Sequence, residues 1–228
     1  MDIALHYIEQ GAGEPLVLLH GNGEDGSYFA AQTEYFSKDY RVIAPDTRGH
    51  GRTPRGSAPF TLEQFAQDLR EFLDGLCLTQ INLLGFSDGG NIALLFALRY
   101  PAYVKKLILN GANLSPAGVK TSVQTPMNIA YAFASLAARL SSKALAGKEQ
   151  LGLMVTQPNI PKEDISAIRC PTLVLAGSED MIKQSHSELI ASYITTSRLK
   201  ILEGDHFIAS KKPGAFNAAV EEFLRSPW

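Results

Sequence analysis

Ser87 stands in Gly85-Phe86-Ser87-Asp88-Gly89, a G-x-S-x-G pattern that sets one hydroxyl between small residues. A serine hydroxyl becomes a good nucleophile only when a base takes its proton, and an imidazole oriented by a carboxylate does this. The five-residue pattern alone is weak; its setting gives it weight. Residues 80–85 read as a strand and 90–99 as a helix, so the serine falls on a sharp strand-to-helix turn. Such a turn lifts the hydroxyl clear of the backbone, and the amides opening the helix favour developing negative charge. Five histidines are available as the base. His6 lies in the first strand pattern and His186 in a helix pattern, where packing or surface roles are the rule. His20 and His50 precede the serine. His206 follows the last strand, in the loop 203–207 that leads to the terminal helix.

These groups need elements to carry them. Apolar runs at 3–8, 16–19, 41–44, 81–85, 104–110, 172–176 and 199–202 alternate with helical patterns at 28–36, 62–73, 89–100, 183–193 and 214–224. Strand–helix alternation predicts an α/β fold over 1–228, with about seven mostly parallel strands and helices on both faces. The first two runs flank Gly11-Ala12-Gly13, which predicts an opening hairpin. Thr61 followed by Gln64 predicts a capping box. Ser87, Asp180 and His206 each follow a strand, so a parallel sheet brings them to one edge. From 114 to 161 no strand is read. Thr125-Pro126 predicts an N-cap and first helical position there, with Ile129, Phe133, Leu136 and Leu140 along one face. This segment is expected to form a small helical cap over the sheet edge; the alternative is a long crossover.

Leu84-Gly-Phe-Ser-Asp-Gly-Gly90 resembles the nucleophile elbow of the α/β-hydrolase superfamily. His20-Gly-Asn-Gly23 resembles that family's oxyanion loop, and Asp46-Thr-Arg-Gly-His-Gly51 its D-x-R-G-H-G turn. The likeness spans nearly the whole chain and is nearest to the biphenyl-hydrolase-like esterases. It implies Ser87 as nucleophile, His206 as base and Asp180 as the acid that orients it, with Glu179 and Asp205 as rivals to Asp180. It implies that His20 and His50 brace loops. It further implies the backbone N–H groups of Asn22 and Asp88 as oxyanion donors. Compared with lidded relatives, the first strand is missing or very short and the cap is reduced, which predicts a shallow, open pocket.

Composition narrows the rest. With 21 basic and 23 acidic residues, the net charge of -2 gives no surplus for nucleic acid or anionic membranes. Two cysteines cannot build a disulfide framework, which suits a reducing compartment. The absence of a signal-like N-terminus predicts a cytoplasmic protein. No metal-ligand spacing or dinucleotide fingerprint is read, so no cofactor and no metal is expected. The expected function is hydrolysis of small carboxylic esters through an acyl-enzyme. Carbon–carbon bond hydrolysis, a lyase reaction or acyl transfer on the same triad remain open, as does a non-catalytic ligand-binding protein. Expected substrate contacts are Phe86, Asp88, Met127 and Tyr131, with Phe133 a further lid residue. A carboxylate at Asp88, with Glu24 and Asp25 nearby, would favour a cationic substrate group, unless Asp88 faces solvent or only braces a loop.

Overall fold

The computed structural model describes residues 2–139 and 141–227. Its short apolar runs satisfy their backbone groups by pairing into one sheet. The strands are β1 (Tyr7–Gln10), β2 (Glu14–Leu19), β3 (Tyr40–Pro45), β4 (Ile81–Phe86), β5 (Val104–Asn110), β6 (Thr172–Gly177) and β7 (Ser197–Leu202). They lie in the order β1-β3-β2-β4-β5-β6-β7, and every pairing is parallel except β1 with β3. All parallel strands therefore end along one edge.

Crossovers between parallel strands are helical. In chain order these and the closing helices are α1 (Ala30–Phe36), α2 (Leu62–Gly75), α3 (Asp88–Arg99), α4 (Thr121–Ala137), α5 (Ser142–Thr156), α6 (Gln184–Tyr193), α7 (Ile208–Lys211) and α8 (Pro213–Arg225). Central strands are buried on both faces. In β2, Val17 and Leu19 join the core beneath α2, α3 and α6, while Leu16 and Leu18 join the core beneath α1, α7 and α8. Among the described residues no helix is long and apolar enough to cross a membrane.

The expected opening hairpin is not formed, because β3 lies between β1 and β2. A side-chain carbon at Gly11 would sit 2.3 Å from the carbonyl oxygens of Ser37 and Tyr40. Glycine there lets the chain cross the entry of β3, where the sequence suggested a tight turn. Half of the expected capping box is present. Thr61 Oγ1 accepts the Gln64 N–H at 3.2 Å, but the Gln64 side chain donates forward to Asp68 at 3.0 Å.

The insertion between β5 and β6 is a pair of helices, α4 and α5, packed on each other. Helix α4 begins four residues before Thr125, so Pro126 lies inside it. Tertiary anchoring sets that start. Lys120 N–H donates to Met181 O at 2.8 Å, while Lys120 O accepts from Val123 and Gln124 at 2.9 and 3.0 Å. The apolar face of α4 also departs from expectation: Ile129, Phe133 and Leu136 are exposed by 54%, 70% and 62%. Leu140 lies outside the described residues.

The D-x-R-G-H-G turn is fastened by a buried ion pair. Arg48 is 1% exposed, and its Nε and Nη2 donate to Asp68 of α2 at 2.7 and 2.8 Å; Nη2 also donates to Asp2 at 2.6 Å. Removing one partner strands a buried charge, which costs about 3 to 5 kcal/mol. Asp68→Ala is expected to lower unfolding stability in urea by about 3 kcal/mol, the low end because Asp2 remains. A loss under about 1 kcal/mol would mean that Asp2 and solvent satisfy the arginine unaided.

Candidate active site

Strand β4 runs directly into α3, and Ser87 is the residue between them, with φ +53° and ψ -120°. A non-glycine residue rarely adopts this conformation, which costs on the order of 1 to 3 kcal/mol and persists only where the surroundings enforce it. Here the Ser87 N–H donates to Asn110 O at 2.8 Å, and Ser87 O accepts from Asn91 at 3.0 Å. The flanking glycines are steric requirements. A Cβ at Gly85 would lie 2.2 Å from Gly89 O, and one at Gly89 would lie 2.1 Å from Leu19 O.

His206 Nε2 stands 3.0 Å from Ser87 Oγ, and its Nδ1 stands 2.7 Å from Asp180 Oδ1. Asp180 is held from behind by the Ile182 N–H at 2.9 Å and the Gly177 N–H at 3.3 Å. Acid and imidazole are both nearly inaccessible, at 2% and 3% exposure. The rivals lie elsewhere. Glu179 is exposed, and Asp205 accepts the Phe207 N–H and pairs with Lys211. The imidazole is wedged by Phe86, with ring centres 4.8 Å apart, and by Gly111, where a Cβ would lie 2.6 Å from its Cε1. Gly111 was legible only as a glycine closing a strand. This arrangement can pass the Ser87 proton to Nε2 while Asp180 stabilises the resulting imidazolium.

The other four histidines brace structure. His6 Nδ1 meets Asp46 at 2.9 Å, and His186 Nε2 accepts the Leu114 N–H at 2.9 Å. His50 is buried with Nδ1 on Arg48 O at 3.0 Å. His20 Nε2 accepts the Thr47 N–H at 3.0 Å, so its Nδ1 carries the proton donated to Gly21 O at 2.7 Å. Burial pushes the His20 pKa down to about 4, which keeps that donor pattern at neutral pH. The bonded carbonyl belongs to the same peptide as the Asn22 N–H. In a trans peptide the two point in opposite directions, so His20 aims the Asn22 amide. Neither the backbone N–H of Asn22 nor that of Asp88 donates a hydrogen bond within the described residues. Asp88 opens α3, where first-turn amides have no helical acceptor.

A narrow cavity of about 30 Å³ borders Ser87, Asp88, Asn113, Met127, Met154 and Ile182. It is tighter than the expected open pocket because α5, unread in the sequence, closes over it. Asn22 Nδ2 donates to Gln150 O of α5 at 2.8 Å, and Arg55 grips Glu149 of α5 at 3.0 and 2.5 Å. The Asp88 side chain is buried at the cavity, accepting from Asn22 Nδ2 at 3.0 Å and Asn91 Nδ2 at 3.3 Å. Burial pushes its pKa up to about 6 against those two donors. A second, more open hollow of about 300 Å³ borders Lys120, Met181, Asp180, His206 and Phe207.

Of the expected substrate contacts, Asp88 and Met127 border the cavity. Phe86 does not: it is 1% exposed and stacks between His206 and Tyr28, the latter at 4.6 Å. Tyr131 packs on α5, 3.4 Å from where a Gly152 Cβ would stand, and Phe133 faces solvent. Among the described residues no group of three His, Cys, Asp or Glu gathers as a metal site.

Residues 14–134 match the model of the alpha/beta hydrolase fold family. The human serine hydrolase BPHL is 30% identical, over 98% of this chain and 84% of its own length. An (E)-2-((N-methylformamido)methylene)succinate hydrolase of Acinetobacter baylyi is 28% identical over 97% of this chain and 94% of its own. A thermophilic esterase of Thermogutta terrifontis superposes with a TM-score of 0.79 at 25% identity, over 98% of this chain and 93% of that one. The chain belongs to the alpha/beta hydrolase fold family, as an enzyme whose similar relatives include a serine hydrolase.

Proposed function

We propose that this hydrolase cleaves small carboxylic esters through an acyl-enzyme on Ser87. The reading rests on one observation: an unbroken hydrogen-bonded line from Ser87 Oγ through His206 to Asp180 opens onto a cavity beside two free amides. Ser87 Oγ bonds to the ester carbonyl carbon as its proton moves to His206 Nε2. The oxyanion is met by the Asn22 and Asp88 N–H groups, each worth about 100- to 1,000-fold in rate. The bond to the alcohol oxygen then breaks, and Nε2 returns the proton to that oxygen. Water repeats the cycle on the acyl group and releases the acid. The kinship with an esterase supports the ester, and the narrow cavity supports a short acyl group.

Asp88 gives this substrate an electrostatic preference. Its carboxylate borders the cavity, bound by two amide side chains and by no cation among the described residues. An acyl group carrying an ammonium would supply the missing charge. The succinate derivative named for the Acinetobacter relative, being an acid, would be repelled.

A fluorophosphonate probe is expected to label the wild type and to leave Ser87→Ala unlabelled, with ester kcat falling at least about 10,000-fold in that variant. Persistent labelling or turnover would remove Ser87 from the mechanism. Asp88→Asn is expected to lower kcat/KM for an alanyl ester relative to a propionyl ester by about 10- to 100-fold. In the wild type that ratio should climb as pH rises through about 6, where Asp88 ionises while the substrate amine is still protonated. A ratio unmoved by the substitution and flat in pH would end the proposed preference.

A further inference from the structure

Taking Asn22 as an oxyanion donor in the reading above, we propose that Glu24 is a positioning residue whose carboxylate holds the oxyanion loop in its productive shape. Glu24 Oε2 accepts the Gly21 N–H at 3.0 Å, and the Glu24 N–H donates to Gly21 O at 3.3 Å. Glu24 thus grips both peptides that flank Gly21. The first is held by its side chain; the second, which carries the Asn22 N–H, by its backbone together with His20. The approach is close: a Cβ at Gly21 would crowd both Oε2 and the Phe86 ring, at 3.1 Å from each. Gly21 is buried, so losing the carboxylate would orphan an amide that water does not readily reach.

The surroundings argue against a simple stabilising role. Glu24 is half-buried and forms no ion pair among the described residues. Charge desolvated without a cation costs stability, and here the compensating bond goes to the loop that carries the donor. The titratable groups facing it are His206 from the loop after β7, Asp25 beside it, and Tyr28 in the following turn. Burial pushes the Glu24 pKa up to about 7, against the Gly21 bond. The ionised form makes the stronger, charge-assisted bond, so the loop tightens as pH rises through that value.

Four proteins decide this: wild type, Glu24→Ala, Glu24→Gln and Ser87→Ala, assayed on a neutral ester and with the fluorophosphonate, whose phosphoryl oxygen also occupies the oxyanion site. Glu24→Ala is expected to lower kcat and the labelling rate by about 10- to 100-fold, with KM changed less than about threefold. Glu24→Gln keeps an acceptor and is expected to recover at least about fivefold of that loss. Its kcat profile is expected to lack the rise near pH 7 that Glu24 ionisation would give the wild type. Glu24→Ala within about twofold of wild type, or a loss carried by KM, would overturn the proposal. So would equal losses in both Glu24 variants that track a lowered Tm. If Ser87→Ala abolishes labelling while Glu24→Ala does not slow it, Glu24 alone is refuted. If Ser87→Ala labels normally, the hydrolytic reading falls and this proposal falls with it.

Discussion

The site depends on one backbone constraint: a serine forced to positive φ between β4 and α3. Nothing in the serine itself favours that conformation. It is imposed by the closeness of strand and helix, which leave no room for a side chain at Gly85 or Gly89. Gly89 also lies against Leu19 O, the end of β2, so the elbow is pressed onto the strand from which the His20–Gly23 loop departs. Nucleophile and loop therefore share one rigid seam. The strain at Ser87 is held by β4, a strand buried along its whole length, which is why it can persist.

Burial then sets the charges. His20, Glu24 and Asp88 surround the reacting position, and each is moved by desolvation toward its neutral form. His20 stays neutral and donates to a carbonyl. The two acids are brought to about 7 and about 6, so their charge changes within the ordinary working range of pH. Asp180 is partnered differently: two backbone amides and the imidazole meet its oxygens. One carboxylate is dedicated to the imidazole, and two others are left responsive to what the site contains.

Much of this was legible in the chain. The elbow could be read because its glycines and serine are required by local geometry, and the strands because alternation with helices leaves few topologies. What failed depended on tertiary contacts. Gly11 and Gly13 carry the composition of a turn, yet they serve to pass the chain over β3. The sequence of α5 is interrupted by Gly147 and Gly152, so it offered no clean period; the Tyr131 ring packs beside Gly152. Phe86 stands beside the nucleophile in sequence, but strand alternation turns it into the core, behind the imidazole.

The cap follows from the same reasoning about contacts. Helix α5 is tied to the body by Glu149 on Arg55, by Gln150 O on Asn22, and just beyond its end by Gln157 on the Leu62 N–H. The described hydrogen bonds from α4 to the body stop at its root, through Lys120 to Met181, with Val119 bridging Ile182 beside it. Of the two cap helices, α5 alone hydrogen-bonds to the His20–Gly23 loop among the described residues, and Gln150 and Asp88 share the two donors of the Asn22 side-chain amide. That shared side-chain amide joins the cap to the cavity beside Ser87. Cap, cavity and loop thus meet at the Asn22 side chain, whereas the outward face of α4 lies beyond that chain of contacts.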